Sequence, residues 1–298
     1  MNNLFEVDID GSNGNEIIQK FIAQIYEDTK SWEVVGINRP WFRGQKDSSW
    51  SPIPEVFRVK KDGKKGYYDE FWLTTTFRNR AANFVETPYN RGDIDKWLFL
   101  MRHMELPTRL LDWSESTLVS LFMAVCESAV CESQDAKRPA VWMINPVALN
   151  HISLNINPTL DETILKENYD IFPNTWVKGS PANENIRLAF KHPRASLSGY
   201  KPTTYPLAIQ LTYCHTRMSA QKGCFTVYGT DERELESIFD KNSKLVQKGF
   251  FKKYVFNESK RVEIYNELQK LGVTFSSVYP DLIGLTKELK DRFFYINK

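Results

Sequence analysis

Apolar residues at Ile17, Ile18, Phe21, Ile22 and Ile25 recur at helical spacing and predict an amphipathic helix over residues 15–28 whose stripe must dock on a neighbour. A second periodic segment, residues 67–84, aligns Phe71, Thr74, Phe77 and Ala81 on one side and leaves Glu70, Arg78 and Arg80 for surface or site roles. A third carries Ile94, Trp97, Leu98 and Met101 with His103 near its end, and Pro107 stops it. Between the first two, the prolines of residues 50–57 imply an extended, irregular run, and the lysine-rich stretch 60–66 reads as a solvent loop. The short apolar run Arg109 to Asp112 reads as a buried strand. The helix through Leu118, Leu121, Phe122 and Val125 follows, with Ser114 or Ser116 as its cap and Glu115 at its positive end. Strand signals return at residues 140–144, 207–211, 224–228 and 250–256. Helices are expected over 258–271, closed by Gly272, and over 281–294. From His151 to Tyr205 the pattern weakens, and so long a structureless loop is improbable. Short helices are expected there, one near residues 185–190, in a lid or small subdomain.

Helices and strands interleave, yet no strand leads into a GxGxxG turn or a Walker lysine loop, so dinucleotide binding of the Rossmann type and P-loop chemistry are unsupported. The expected fold is α+β, a mixed or mostly antiparallel central sheet flanked by helices. Residues 1–35 form a helical lead-in, and residues 36–298 form the domain proper, with 151–205 as an insertion or lid-like segment.

The 298 residues, 42% hydrophobic and 26% charged, suffice for a real core. A formal net charge of +2 supplies no global field for nucleic acid or an anionic membrane, so any such contact must come from a local patch. No apolar run reaches the roughly 18 residues of a membrane span, and the start of the chain lacks the marks of a signal peptide, so a cytoplasmic protein with no membrane partner is expected. Cys126, Cys131, Cys214 and Cys224 have no zinc-knuckle spacing and read as reduced core thiols; no metal is expected.

Two segments place polar groups in strongly apolar surroundings: Trp41-Phe42-Arg43-Gly44-Gln45 and Pro107-Thr108-Arg109-Leu110-Leu111-Asp112-Trp113-Ser114. A guanidinium is costly to bury, so Arg43 and Arg109 each need an anionic partner or a ligand. Together with Ser120-Leu-Phe-Met-Ala124, the run Arg217 to Phe225 and the closing Val278-Tyr-Pro-Asp-Leu-Ile-Gly-Leu285, these segments resemble the FRG domain, named after the triplet at Phe42, Arg43 and Gly44.

The same blocks are similar, more distantly, to ADP-ribosyltransferases of the arginine-serine-glutamate kind. Phe42-Arg43-Gly44 matches that pattern's first block. Counting from Ser114, position six is Ser120 in place of Ala, nine is Met123 in place of Phe, and ten is Ala124. The resemblance implies that Arg43 clamps a phosphate or ribose of NAD and that Ser114 orders the nicotinamide end. A later carboxylate would stabilise the oxocarbenium-like transition state, but the Glu-x-Glu of that pattern aligns with Gln221-Lys222-Gly223, leaving glycine at that position and Gln221 as a neutral stand-in. Asp112, Glu115 and Glu55 are the carboxylates that could fold in instead.

The implied site holds Arg43, Ser114, Gln221 and His103 as catalytic candidates and Arg43, Gly44, Arg109, Asp112, Ser114 and Arg217 as nucleotide-binding candidates. The leading functional expectation is an NAD-handling, ADP-ribosyltransferase-like domain, a toxin or defence effector acting on a small molecule or a protein target. A non-catalytic ligand- or protein-binding module is the alternative. Nucleic-acid binding through the five lysines of residues 241–253, interleaved with Phe250 and Phe251, is a third reading, set against that of a solvated strand edge. Beside these stand structural readings: Arg43 tied to Asp112 across neighbouring strands, Arg109 paired within the core with Asp112 its nearest candidate, and His103 as a helix-end cap.

Overall fold

The computed structural model describes residues 5–33, 39–58, 60–61, 64–84, 89–90, 94–126, 137–167, 203–209, 216–240 and 242–293. Among these, seven strands form one sheet: β1 (Glu6–Ile9), β2 (Trp41–Gln45), β5 (Leu110–Ser114), β6 (Ala140–Ile144), β7 (Leu207–Ile209), β8 (Gly223–Val227) and β9 (Phe251–Phe256). Their order is β1-β9-β6-β2-β5-β8-β7. The β1–β9 pair is parallel and the others are antiparallel, which makes the sheet mixed and mostly antiparallel, as expected. The lysine-rich stretch is more ordered than a loop, since β3 (Lys60–Lys61) and β4 (Lys64–Lys65) pair as a separate short hairpin.

The helices are α1 (Gly14–Glu33), α2 (Glu70–Ala81), α3 (Ile94–His103), α4 (Thr117–Val125), α5 (Pro146–Ser153), α6 (Glu162–Glu167), α7 (Thr216–Ala220), α8 (Leu235–Ile238), α9 (Lys244–Gln247), α10 (Arg261–Lys270), α11 (Phe275–Val278) and α12 (Leu282–Arg292). Helix ends follow local chemistry. Ser116 caps α4 by accepting the Val119 amide, Asn145 caps α5 ahead of Pro146, and Gly272 sits just past α10 at φ +80°, where a side chain would be strained. The lead-in carries a strand as well as its helix, because β1 runs beside β9 and extends the sheet. The helix expected near residues 185–190 lies outside the described residues.

The pleat divides the core. Leu111, Trp113 and Cys224 enter the main cluster with Phe42, Phe122, Trp142 and Phe251, whereas Leu110, Phe225 and Val227 pack with Leu98, Phe99 and Met101 of α3. Asp112 alternates with Leu110 along β5 and so shares the face that α3 covers. On α2, Leu73 and Phe77 turn inward and Ala81 is buried, while Phe71 is half exposed, so the inward stripe is rotated from the expected one. At its end, Lys252 and Lys253, the basic run is no solvated edge, although Lys244 and Lys248 are exposed. β9 is paired on both sides, Lys252 bridges to Asp28, and Lys253 lies 3.2 Å from Glu6 and 5.0 Å from the Trp142 ring centroid. These two lysines therefore have little charge left to offer nucleic acid.

Gly44 is where β2 meets α4: a Cβ there would stand 1.9 Å from the Ser120 carbonyl oxygen and 2.8 Å from the Ala124 nitrogen. Backbone cannot yield as a flexible side chain does. Gly44→Ala should therefore cost about 1–3 kcal/mol, measured as a drop in the urea midpoint at unchanged slope.

Candidate functional site

Where β2 meets β5, Phe42 lies opposite Ser114, and the neighbouring side chains build a charged cluster. Arg43 follows Phe42. Its Nη1 donates to the Asp112 carbonyl oxygen at 2.6 Å and lies 3.8 Å from the Asp112 carboxylate. Arg102, in the last turn of α3, grips that carboxylate through Nε at 2.8 Å and Nη2 at 2.6 Å, and its Nη1 reaches Glu55 at 3.2 Å. Glu55 comes from the 3-10 turn Glu55–Phe57, placed by the proline-bearing segment that leads away from β2. Arg43 and Arg102 thus compete for Asp112, and Arg102 has the fork geometry.

The proton balance follows from this. Burial pulls the Arg43 guanidinium down to about 10, an effect that Asp112 offsets only in part and that the charges of Arg58 and Arg102 reinforce. Its Nε is buried with no hydrogen-bond partner. Burial alone would raise the Asp112 carboxyl, but Arg102, by charge and hydrogen bonds, and Arg43 hold it below the ordinary aspartate range. Arg102 is raised, first by the Asp112 charge. Arg58 is exposed, with its Nε on the Ile53 carbonyl.

The other expected residues fall into two further groups. Ser114 Oγ donates to the Gln221 carbonyl at 2.6 Å and accepts the Ser116 amide at 2.9 Å. The Gln221 side chain donates to the Val278 carbonyl at 3.2 Å, which ties the turn before β8 to the C-terminal segment. Ser114 faces Gly223 in register. The strained residue of that turn is Lys222, at φ 45°, whereas a Cβ on Gly223 would meet only an ordinary contact with the Met218 oxygen at 3.4 Å. Arg217 lies over the Tyr279 ring, 4.6 Å from its centroid. Burial raises the Tyr279 phenol, Arg217 pulls it back, and the Asp112 charge is felt there too, so this group borders the first.

Arg109 stands apart. Its side chain is 4% exposed; Nε donates to Glu70 at 2.8 Å, Nη2 bridges to the same carboxylate, and Nη1 donates to the Tyr228 carbonyl at 3.1 Å and the Gly229 carbonyl at 3.3 Å. The expected partner Asp112 is replaced by Glu70, and every nitrogen of the fork has a protein acceptor. Gly44, as shown above, serves the α4 packing. His103 is half buried at the end of α3, and it is the preceding residue, Arg102, that reaches Asp112.

Glu70, Arg102 and Tyr279 were the partners that sequence reasoning did not assign. Each carried a faint signal. Glu70 lies three and seven residues before the inward Leu73 and Phe77, Arg102 lies one helical turn after the buried Leu98, and Tyr279 belongs to the closing Val278 to Leu285 block.

The described free cysteines, Cys126 and Cys224, are buried, and burial raises both thiols, as inert core residues should show. No described helix is long and apolar enough to cross a membrane. In comparisons with known proteins, residues 38–132 match the FRG domain family. No curated protein and no solved structure matches the chain. The matched segment contains Arg43, Glu55, Glu70, Arg102, Arg109, Asp112 and Ser114, and so the whole charged cluster; Arg217, Gln221 and Tyr279 lie beyond it.

Proposed function

With an FRG domain over residues 38–132 as the premise, we propose that the Arg43 cluster binds a phosphorylated ligand of the nucleotide class, with NAD as the candidate, and that it does so without turning the ligand over. The observation that carries this reading is the state of Arg43: a mostly buried guanidinium with a lowered proton affinity and an unpartnered Nε, in a cluster that holds one cation more than it holds anions. Arg43, Arg58 and Arg102 oppose only Asp112 and Glu55 within the cluster, so a phosphate would supply the missing anion. Absence of turnover follows from the carboxylates. Asp112 and Glu55 are committed to Arg102, Gln221 is neutral and held by Val278, and the Ser114 hydroxyl is held by the Gln221 carbonyl. A charge aimed at the transition state is then missing, a loss of about 10² to 10³ in rate.

A second reading, an NAD-consuming transferase or glycohydrolase, is favoured by Glu115. That residue is exposed, follows Ser114, and donates its amide to the Lys222 carbonyl at the turn before β8. It is the carboxylate placed to act if one does.

One experiment separates these readings. Differential scanning fluorimetry with NAD, ADP-ribose and ADP should raise the melting temperature by several degrees near saturation, since a ligand at a hundred times its Kd adds about 2.7 kcal/mol. The shift should shrink in Arg58→Ala, whose exposed position spares the fold, and vanish in Arg43→Met, with circular dichroism confirming that both variants are folded. No nicotinamide should appear. Release of nicotinamide that Glu115→Gln abolishes would establish the second reading, and the absence of any shift with all three ligands would defeat both.

A further inference from the structure

Helix α12 is docked the wrong way round for a soluble helix. Its inward face is Gly284, Glu288 and Asp291. A Cβ on Gly284 would stand 2.0 Å from the Tyr279 carbonyl oxygen, Glu288 accepts the Ser276 amide at 3.0 Å, and Asp291 accepts the Tyr265 hydroxyl at 2.7 Å. These positions lie three to four residues apart and share one side. The opposite side carries the apolar residues: Leu282 is 79% exposed, Ile283 71%, Leu285 41%, Leu289 43% and, just past the helix, Phe293 60%. A globular helix normally buries that stripe.

Charge is sorted in the same sense. Both acids of the helix are turned inward, and the capping Asp281 has its carboxylate on the Gly284 amide at 2.7 Å. Lys290 and Arg292 are exposed and, on a helical projection, flank the stripe of Leu282, Leu285, Leu289 and Phe293 on its two sides, whereas Lys287 turns back over the Phe275 ring, 5.4 Å from its centroid. An apolar ridge bordered by cations, with its acids withdrawn, complements an anionic, apolar medium. A second copy of the chain would set like charges against one another, and the ridge is convex, so it needs no preformed groove.

We propose that α12 is a peripheral membrane-contact helix, which lays its ridge into the headgroup boundary of an anionic bilayer while Lys290 and Arg292 reach the phosphates. The chain's small net charge is compatible with this because the patch is local. The contact is additional to the Arg43 cluster and does not depend on it.

The test is flotation of the whole chain with phosphatidylcholine vesicles prepared with and without phosphatidylglycerol. The wild type should float with the anionic vesicles, far less with the neutral ones, and progressively less as salt rises. Leu282→Gln/Leu289→Gln and Lys290→Gln/Arg292→Gln should each lower the bound fraction at least about tenfold, with circular dichroism unchanged and the melting temperature close to that of the wild type because these side chains face solvent. Failure of the wild type to float, or flotation of both variants equal to that of the wild type, overturns the proposal. So does a dimer in sedimentation that the leucine variant dissolves, which would make the ridge a self-interface. Failure to float without self-association would leave the ridge to a protein partner.

Discussion

Glu70→Ala should destabilise the chain by about 3–5 kcal/mol, the cost of leaving a buried charge without its counter-ion. Arg109 cannot escape to water. Its side chain is 4% exposed, and its Nη1 is already shared between the Tyr228 and Gly229 carbonyls, so two neutral acceptors would face a full charge that, among the described residues, Glu70 neutralises. Helix α2 would suffer as well, because Glu70 opens its first turn, where an acid is favoured, and fixes the angle at which Leu73 and Phe77 reach the core. Urea unfolding at neutral pH should show a lower midpoint with an unchanged slope. The double variant Arg109→Met/Glu70→Leu should recover most of the loss, since replacing both partners removes the desolvation cost together with the attraction. Its nucleotide-induced thermal shift should match that of the wild type, because this pair lies outside the Arg43 cluster. If the double variant is no more stable than Glu70→Ala, the pair acts through something other than charge. If the double variant keeps its fold and loses the shift, Arg109 belongs to the binding surface after all.

That distinction marks the boundary of what the sequence could disclose. Periodicity was sufficient for elements whose burial is decided locally: α1, α3 and α4 each follow a spaced run or a capping residue, and the apolar strands β5, β6 and β9 stand between turn signals. It also showed that Arg43 and Arg109 were buried charges in need of partners. Which partner each would find was not legible, because an ion pair is a property of two segments meeting. Asp112 is three residues from Arg109 and was its nearest candidate, yet Arg109 lies next before the first residue of β5 and Asp112 is the third in it, so the pleat sends them to opposite faces. Glu70, 39 residues earlier, arrives on α2 instead. Sheet order was hidden for the same reason. The basic stretch reads as an edge by composition, but the parallel arrival of β1 makes β9 an interior strand, and Lys253 then buries its charge against Glu6 and Trp142. The inverted docking of α12 escapes any reading that takes an apolar stripe for the inward face.

The second large effect concerns Arg102, and its signature is a change of sign with pH. In the wild type the Asp112 carboxyl is held below its ordinary value, so its contribution is present above the unfolded pKa of about 3.9 and fades as pH falls through the lower, folded value. Stability should rise with pH across that window. Burial opposes this and is overcome mainly by Arg102, through its charge and its hydrogen bonds. In Arg102→Ala the burial effect would prevail and lift the folded carboxyl above the unfolded one, with Arg43, 3.8 Å away, and a backbone hydrogen bond resisting. The contribution of Asp112 would then be present below about pH 4 and lost as pH rises through the raised value, so the slope reverses. At neutral pH the variant should lose about 2–4 kcal/mol, less than a sealed pair would, because the Asp112 side chain is 37% exposed and water screens part of the deficit. Urea midpoints taken from about pH 3 to pH 7 read both quantities, and Asp112→Asn in the same background should abolish the reversed slope, since no carboxyl is then left at that position to titrate. The nucleotide shift should weaken in Arg102→Ala, since Asp112 would turn to Arg43 and satisfy the guanidinium that the phosphate needs. A slope unchanged from wild type would show that Arg43, not Arg102, holds the carboxylate ionised, and Arg43 would then be spoken for within the protein rather than kept for a ligand.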